Sequence, residues 1–174
     1  LKVTRGLPRV LRDCRVKRSS WTWTWDGRVT AVVAPRSDVN EVIDVEQGDT
    51  SDRSFGLALD IGTTTVYGQL IDLISGQVLA ENGDFNAQIS FGEDVISRIS
   101  HLNEKMDRLG PMQQLAVEGI NLLMARCLEE VGCDAAAVDE VGVCGNTTMQ
   151  QIFAGLHPYR LGISPYHPLT LTPP

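Results

Sequence analysis

Between Phe55 and Asp72 the chain reads Phe-Gly-Leu-Ala-Leu-Asp-Ile-Gly-Thr-Thr-Thr-Val-Tyr-Gly-Gln-Leu-Ile-Asp, two apolar runs joined by a short polar connection. Leu57 and Leu59 alternate with Ala58 on the way in, and Val66, Gly68 and Leu70 alternate with Tyr67, Gln69 and Ile71 on the way out. Period-two alternation on both sides of so short a connection predicts an antiparallel hairpin with one buried face. Whatever else the chain forms must pack against that sheet.

The connection itself is Asp60-Ile-Gly-Thr-Thr-Thr65. Gly62 is free to adopt backbone angles closed to other residues, so the turn can present successive N–H groups, and the hydroxyls of Thr63, Thr64 and Thr65 add donors beside them. Such a concavity suits anionic oxygens. Asp60 would repel a phosphate, and its place at the strand end makes sense if a hydrated divalent cation lies between the two. The pattern predicts a magnesium–nucleotide site. The plainer alternative is a polar turn, for which Asp, Gly and Thr are ordinary residues.

A chain of 174 residues has room for one ordinary domain, or for a small domain and part of another. It begins at Leu1 and stops at Pro173-Pro174, after an extended, proline-punctuated run from Ser164, which reads as part of a longer protein. No run is long and apolar enough to span a bilayer and no basic-then-apolar leader is present, so a soluble, cytoplasmic protein is expected. Cys14, Cys127, Cys133 and Cys144 form no CxxC pair, and buried free thiols are expected rather than metal or iron–sulfur ligands.

The net charge of −7 hides an asymmetry: residues 1–36 hold nine Lys or Arg against two acids, leaving six basic and twenty acidic residues beyond. The basic piece suits an acidic docking partner, or simply the acidic remainder of the chain. No nucleic-acid motif accompanies it. Leu7-Pro-Arg-Val-Leu-Arg12 suggests a short helix opened by proline. Trp21, Trp23 and Trp25 alternate with Thr22 and Thr24, which in a strand sets three indoles on one side, for packing on their own sheet or for docking a protein. Asp26-Gly27 signals a hairpin, with Arg28 to Ala34 returning and Val39 to Val45 as one more strand. The polar run Glu46 to Arg53 marks a domain boundary.

Beyond the organising hairpin, Leu73 to Gly76 makes a turn and Gln77 to Phe85 a third strand. Gly92-Glu93-Asp94 opens a helix whose apolar face is read as Val95, Ile96, Ile99 and Leu102, with carboxylates where the helix dipole favours them. A second helix starts at Pro111, carries Leu115, Ile120, Leu122, Leu123 and Leu128, and closes at Gly132. Val138 to Cys144 is a strand running into Gly145-Asn-Thr-Thr-Met149 and a short helix through Phe153. Asn146 and Thr147 can cap that helix, whose first amides can face a cleft. A cap alone is the plainer reading, but in a sheet of this order both hydroxyl-rich turns open at one edge.

The order strand, strand, strand, helix, helix, strand, helix resembles the first half of the ribonuclease-H-like ATPases that include actin, sugar kinases and heat-shock chaperones. Asp60 to Thr65 resembles their first phosphate loop and Val141 to Met149 their connecting segment. Within that superfamily the chain is most similar to the reductive activators of corrinoid-dependent proteins. The similarity rests on Leu7–Arg12, Asp44–Thr50, the loop at Asp60, Phe91–Ile99, Gly145–Met149 and Leu161-Gly162. It covers most of the chain from Thr50 onward and the first fifty residues more loosely. Family members commonly have proline where this chain has Ala87.

The resemblance implies an α/β fold with a mixed sheet. Residues 1–50 would form a small, basic, β-rich middle domain and residues 51–174 the first half of an actin-like ATPase domain. The second phosphate loop and adenosine pocket would lie in a second half outside the chain, so the isolated piece is expected to be inactive. The implied activity is ATP hydrolysis coupled to electron delivery, reducing cob(II)alamin to cob(I)alamin on a corrinoid protein or its methyltransferase. Gly62, Thr63, Thr64 and Thr65 would hold phosphates, Asp60 would be catalytic by orienting hydrated magnesium, and Gly145, Asn146 and Thr147 would line the opposite wall. Glu93, Asp94 and Gln150 are candidates for positioning water. A [2Fe-2S] cluster is expected only in an N-terminal domain not present here. Neither nucleic acid nor membrane is an expected partner, and homodimerisation through open sheet edges stays open. Rival readings are a small-molecule kinase of the same superfamily and a non-catalytic protein-docking module built on the tryptophan strand.

Overall fold

The computed structural model describes residues 2–6, 28–35 and 40–169. The leader at Leu7–Arg12, Cys14, the tryptophan strip, Asp26-Gly27 and the terminal prolines lie outside the described residues. The chain divides into two compact units, Leu1–Ser54 and Phe55–Pro174.

The first unit holds a three-stranded antiparallel sheet in the order β1-β2-β3, with β1 at Lys2–Gly6, β2 at Arg28–Pro35 and β3 at Asn40–Gln47. The return strand expected after Asp26-Gly27 is there, but its partner on one side is distant in sequence, Gly6 facing Arg28 and Lys2 facing Val32, while β3 takes the other edge. Val29, Val32 and Val45 are buried. Buried Thr30 donates its hydroxyl to the Gly48 carbonyl and accepts the Thr50 amide, both at 2.9 Å, which fastens the exit of β3 to the sheet.

The second unit is a mixed α/β layer. Strands β4 (Phe55–Ile61), β5 (Thr65–Asp72) and β6 (Val78–Phe85) form an antiparallel meander. β7 (Val138–Gly145) then adds parallel to β4, giving the order β6-β5-β4-β7. Helices α1 (Val95–Glu104), α2 (Leu109–Val131) and α3 (Thr147–Phe153) complete it. The alternation read in the sequence is the burial pattern: Leu57, Leu59, Ile61, Val66 and Leu70 are buried on one face, whereas Ala58, Asp60 and Tyr67 are exposed on the other. The buried face packs against Met112, Ile120, Leu123 and Leu128 of α2, with Leu102, Met149 and Ile152 extending the core.

Close approach of α2 to the sheet depends on Gly68. A Cβ there would lie 2.3 Å from Cδ2 of Leu123 and 2.9 Å from Cδ2 of Leu59. The helix ends where a left-handed residue is needed, at Gly132 with φ 72°, whose amide and that of Cys133 return to Glu129 and Leu128.

Three sequence expectations are corrected. Ile96, assigned to the apolar face of α1, is 61% exposed, and Arg98 is fully buried instead. The helix enters with Val95, Arg98, Ile99 and Leu102 at i, i+3, i+4 and i+7, which is the true inward stripe. Leu122, placed in the core stripe of α2, is 53% exposed, because Met112, Ala116, Ile120, Leu123 and Cys127 define the face on the sheet. Of the cysteines expected to be buried, Cys127 is and Cys133 is half-buried, but Cys144 is exposed. It shares register with Asp60 on the uncovered face of the sheet. No helix among the described residues is long and apolar enough to cross a membrane.

Candidate functional site

Parallel strands end at the same edge, and β4 and β7 are the parallel pair of this sheet. Asp60 lies beside Cys144 and Ile61 beside Gly145 in register, so the two hydroxyl-rich turns leave the sheet side by side. Gly145 is what lets them do so: a Cβ built on it would lie 2.7 Å from the Ile61 carbonyl oxygen. Asn146 then joins the turns. Its Nδ2 donates to Oγ1 of Thr63 at 3.0 Å, while its Oδ1 caps α3 by accepting the Met149 amide at 3.1 Å.

Gly62 serves the turn by its size rather than its angles. Its φ lies outside the left-handed region, and the constraint is the Thr65 carbonyl oxygen 2.6 Å from where a Cβ would stand. The orientation of the loop follows from its carbonyls. Gly62 O accepts Nδ2 of Asn86 at 2.8 Å, Thr63 O accepts Nη2 of Arg98 at 2.5 Å, and Thr64 O accepts the Asn86 amide at 2.8 Å. Asn86 and Arg98 are 1% and 0% exposed, so all three carbonyls point inward. In a trans peptide the N–H of the next residue points opposite to the carbonyl. The amides of Thr63, Thr64 and Thr65 therefore face outward, an array of aligned donors of the kind that suits an anion.

Under this loop lies a polar network that the sequence reading missed. Asn86 opens the 3-10 turn Ala87–Phe91, its Oδ1 accepting the Gln88 amide at 3.0 Å, and Gln88 donates Nε2 to the Met112 carbonyl at 2.9 Å. Arg98 donates Nε to Gly92 O at 2.8 Å and Nη1 to Gln88 Oε1 at 3.3 Å and Met149 Sδ at 3.1 Å. Burial pushes the Arg98 pKa down, and the charge of Asp94 opposes that. The available signal was an arginine at the i+3 position of an apolar stripe.

The remaining sequence candidates separate. Asp60, Thr64, Thr65 and Thr147 are exposed and Thr63 and Gly145 half-buried. Asp94 is the N-cap of α1: its Oδ1 accepts the Ser97 amide at 2.7 Å, and Ser97 Oγ accepts the Asp94 amide at 3.1 Å. The Ser97 amide holds its carboxyl below the usual range, as suits an ionised cap. Gln150 spends its Nε2 on the Gly145 carbonyl at 2.8 Å. Glu93 is exposed one residue before the cap.

The open face of the sheet beside Asp60 carries a shallow hollow of about 450 Å³ lined by Ala58, Asp60, Tyr67, Gln69, Gly142 and Cys144. At its rim the phenol pKa of Tyr67 is raised, chiefly by the neighbouring Glu81, and the carboxyl pKa of Glu81 is lowered by Tyr67 and Gln69, the latter donating Nε2 to Glu81 Oε2 at 3.2 Å. Among the described residues, no three His, Cys, Asp or Glu side chains converge as a metal site. Asp60 stands exposed at the end of β4.

Residues 55–174 match the model of the family described as the RACo middle region. The chain is 34% identical over 128 residues to the corrinoid activation enzyme RamQ of Eubacterium limosum, across 73% of this chain and 22% of that protein. It also resembles a solved structure described as a reductive activator for corrinoid, iron-sulfur protein, with 38% identity and a TM-score of 0.77 over 86% of this chain and 24% of that one. The chain therefore spans between a fifth and a quarter of the length of these relatives.

Proposed function

Since the chain belongs to the RACo middle-region family, we propose that it is the phosphate-holding lobe of an ATP-dependent reductive activator of a corrinoid protein. In this reading residues 51–174 form the first half of a ribonuclease-H-like, actin-type ATPase domain, and residues 1–50 a small β-rich domain before it. The observation that carries the reading is the outward set of amides at Thr63, Thr64 and Thr65, held by inward carbonyls at the shared end of β4 and β7. The names of the two relatives support the corrinoid part.

The residues have distinct tasks. The three amides and the hydroxyls of Thr64 and Thr65 bind the β- and γ-phosphate oxygens, preorganised so that no loop reorganisation is needed when charge shifts. Asp60 orients the water shell of magnesium. Asn146 holds Thr63 in place, and Gly145 keeps the second turn close enough for it to do so. ATP binding and hydrolysis supply the free energy that favours a partner-bound arrangement in which one electron, from an iron–sulfur donor elsewhere in such a protein, reaches cob(II)alamin. Coupling of that kind needs a state that ATP and its products stabilise unequally.

The test is Asp60→Ala in the full-length protein. ATP-dependent corrinoid reduction should fall by about 10²-fold or more, with the corrinoid protein still bound. Unaltered turnover would refute the assignment. A phosphorylated small molecule accumulating with ATP would mark a kinase instead, and partner binding by residues 1–50 without nucleotide dependence would mark a docking module.

A further inference from the structure

A fully buried guanidinium is costly unless something compensates it, and the usual partner is a carboxylate. Arg98 has none at ion-pair distance among the described residues. Its four acceptors, Thr63 O, Gly92 O, Gln88 Oε1 and Met149 Sδ, are all neutral. The charge of Asp94 acts on it from a distance, with Oδ1 of that residue already holding the Ser97 amide. Met149, 1% exposed, is a poor acceptor that an apolar side chain would replace at little loss. A neutral residue at 98 would suit these surroundings unless the charge had another use.

Its position supplies one. Nη2 donates to the carbonyl of the peptide whose N–H belongs to Thr64, the middle of the three outward amides. Donation by a cation to that carbonyl polarises the peptide and strengthens its N–H toward an anion on the far side. The same side chain reaches the loop before α1 through Gly92 and helix α3 through Met149. Gly92 is packed so closely that a Cβ would lie 2.7 Å from the Arg98 amide. One residue thus touches the first turn, the helix that follows the second turn, and the segment that leads into α1.

We propose that Arg98 is a positioning residue that supplies, from beneath the Gly62–Thr65 loop, the counter-charge for a bound polyphosphate. This rests on the nucleotide reading above. The bound anion completes the pair that Arg98 lacks, acting across one peptide plane rather than by direct contact. Because the guanidinium also holds Gly92 and Met149, loading of the loop stiffens residues 92–98 along with it.

The experiment compares Arg98→Gln and Arg98→Lys with the unmodified full-length protein, measuring dissociation constants for MgATP and for adenosine. Loss of the counter-charge should weaken MgATP by roughly 10- to 100-fold in Arg98→Gln while leaving adenosine within about threefold, and Arg98→Lys should recover part of the difference. In the unmodified protein, MgATP should slow amide hydrogen exchange across residues 92–98. Folded Arg98→Gln binding MgATP as tightly as the unmodified protein overturns the proposal. So does an equal loss for adenosine, which marks a structural role alone. Should Arg98→Gln fail to fold, the Lys variant and the exchange measurement decide: Arg98→Lys binding no better than a charge-free site, or exchange unchanged by MgATP, overturns it. Failure of the unmodified protein to bind MgATP removes the nucleotide reading itself and this proposal with it.

Discussion

Gly142 and Gly145 lie three residues apart on β7, and a methyl group added to each meets opposite surroundings. Around Gly142 there is nothing within 4 Å, whereas at Gly145 the new Cβ would stand 2.7 Å from the backbone oxygen of Ile61. That oxygen cannot move away easily, because Ile61 is 1% exposed and its strand is paired on both edges. Replacing either glycine by alanine restricts the unfolded chain equally, a gain of about 0.4–1 kcal/mol. Subtracting one variant from the other removes that contribution and leaves the overpacking cost, about 1–3 kcal/mol. Gly142→Ala should be neutral or stabilising and Gly145→Ala destabilising by comparison, the difference amounting to about 2–4 °C of melting temperature per kcal/mol. Urea and thermal unfolding of the two variants side by side would measure it. Stabilities equal to within about 0.5 kcal/mol, the ordinary scatter of surface substitutions, would refute the claim that Gly145 is required for strand approach.

Three further outcomes can be checked. Asn146→Asp keeps an acceptor for the Met149 amide but loses the Nδ2 donor to Thr63 and adds a negative charge at the candidate phosphate edge; thermal stability should change little while MgATP affinity in the full-length protein falls at least about tenfold. Gly68→Ala and Leu123→Ala should each destabilise, the latter by about 2–5 kcal/mol, and the double variant should be less unstable than the sum by about 0.5–3 kcal/mol, since the second change removes the atom 2.3 Å from the added methyl; additive effects in a denaturation cycle would contradict this. Asp94, held ionised chiefly by the Ser97 amide, has its folded pKa lowered, so its cap contributes fully above the unfolded carboxylate range and is lost as pH falls through the lower folded value; in urea titrations below about pH 4, Asp94→Ala should show a shallower loss of stability than the parent.

What could be read from the sequence was what neighbouring residues decide. Alternation around Ala58 and Tyr67 fixes which side of the hairpin is buried, and Gly132 and Asp94 mark helix ends by local backbone chemistry. Both turns could be placed at one edge because the parallel β4–β7 pairing follows from the intervening helices. The failures are of another kind. Pairing of β1 with β2 joins residues 2 and 32, and no local pattern specifies it. The exposure of Cys144 and of Leu122 depends on which faces the rest of the unit covers. Arg98 was overlooked because a charged residue within an apolar stripe is normally discounted, when the two facts together, charge and inward spacing, were the clue.

That omission bears on how the loop achieves its shape. Glycines and threonines make an outward array of amides sterically open, but nothing in the hexapeptide selects it over a turn with its carbonyls outward. The selection comes from donors supplied by distant sequence: the side chain and backbone of Asn86 and the guanidinium of Arg98 claim the carbonyls of residues 62, 63 and 64 in succession. If the peptides flipped, the Asn86 amide and Nη2 of Arg98 would lose their acceptors, at about 1–3 kcal/mol per orphaned group, and Nδ2 of Asn86 would keep only Gln88 Oε1 at 3.4 Å and Met149 Sδ at 3.8 Å. The polarity of the loop is therefore set from beneath by residues 24 and 35 positions further along the chain. A short Asp-x-Gly-Thr-Thr-Thr stretch should orient its amides this way only where such inward donors accompany it.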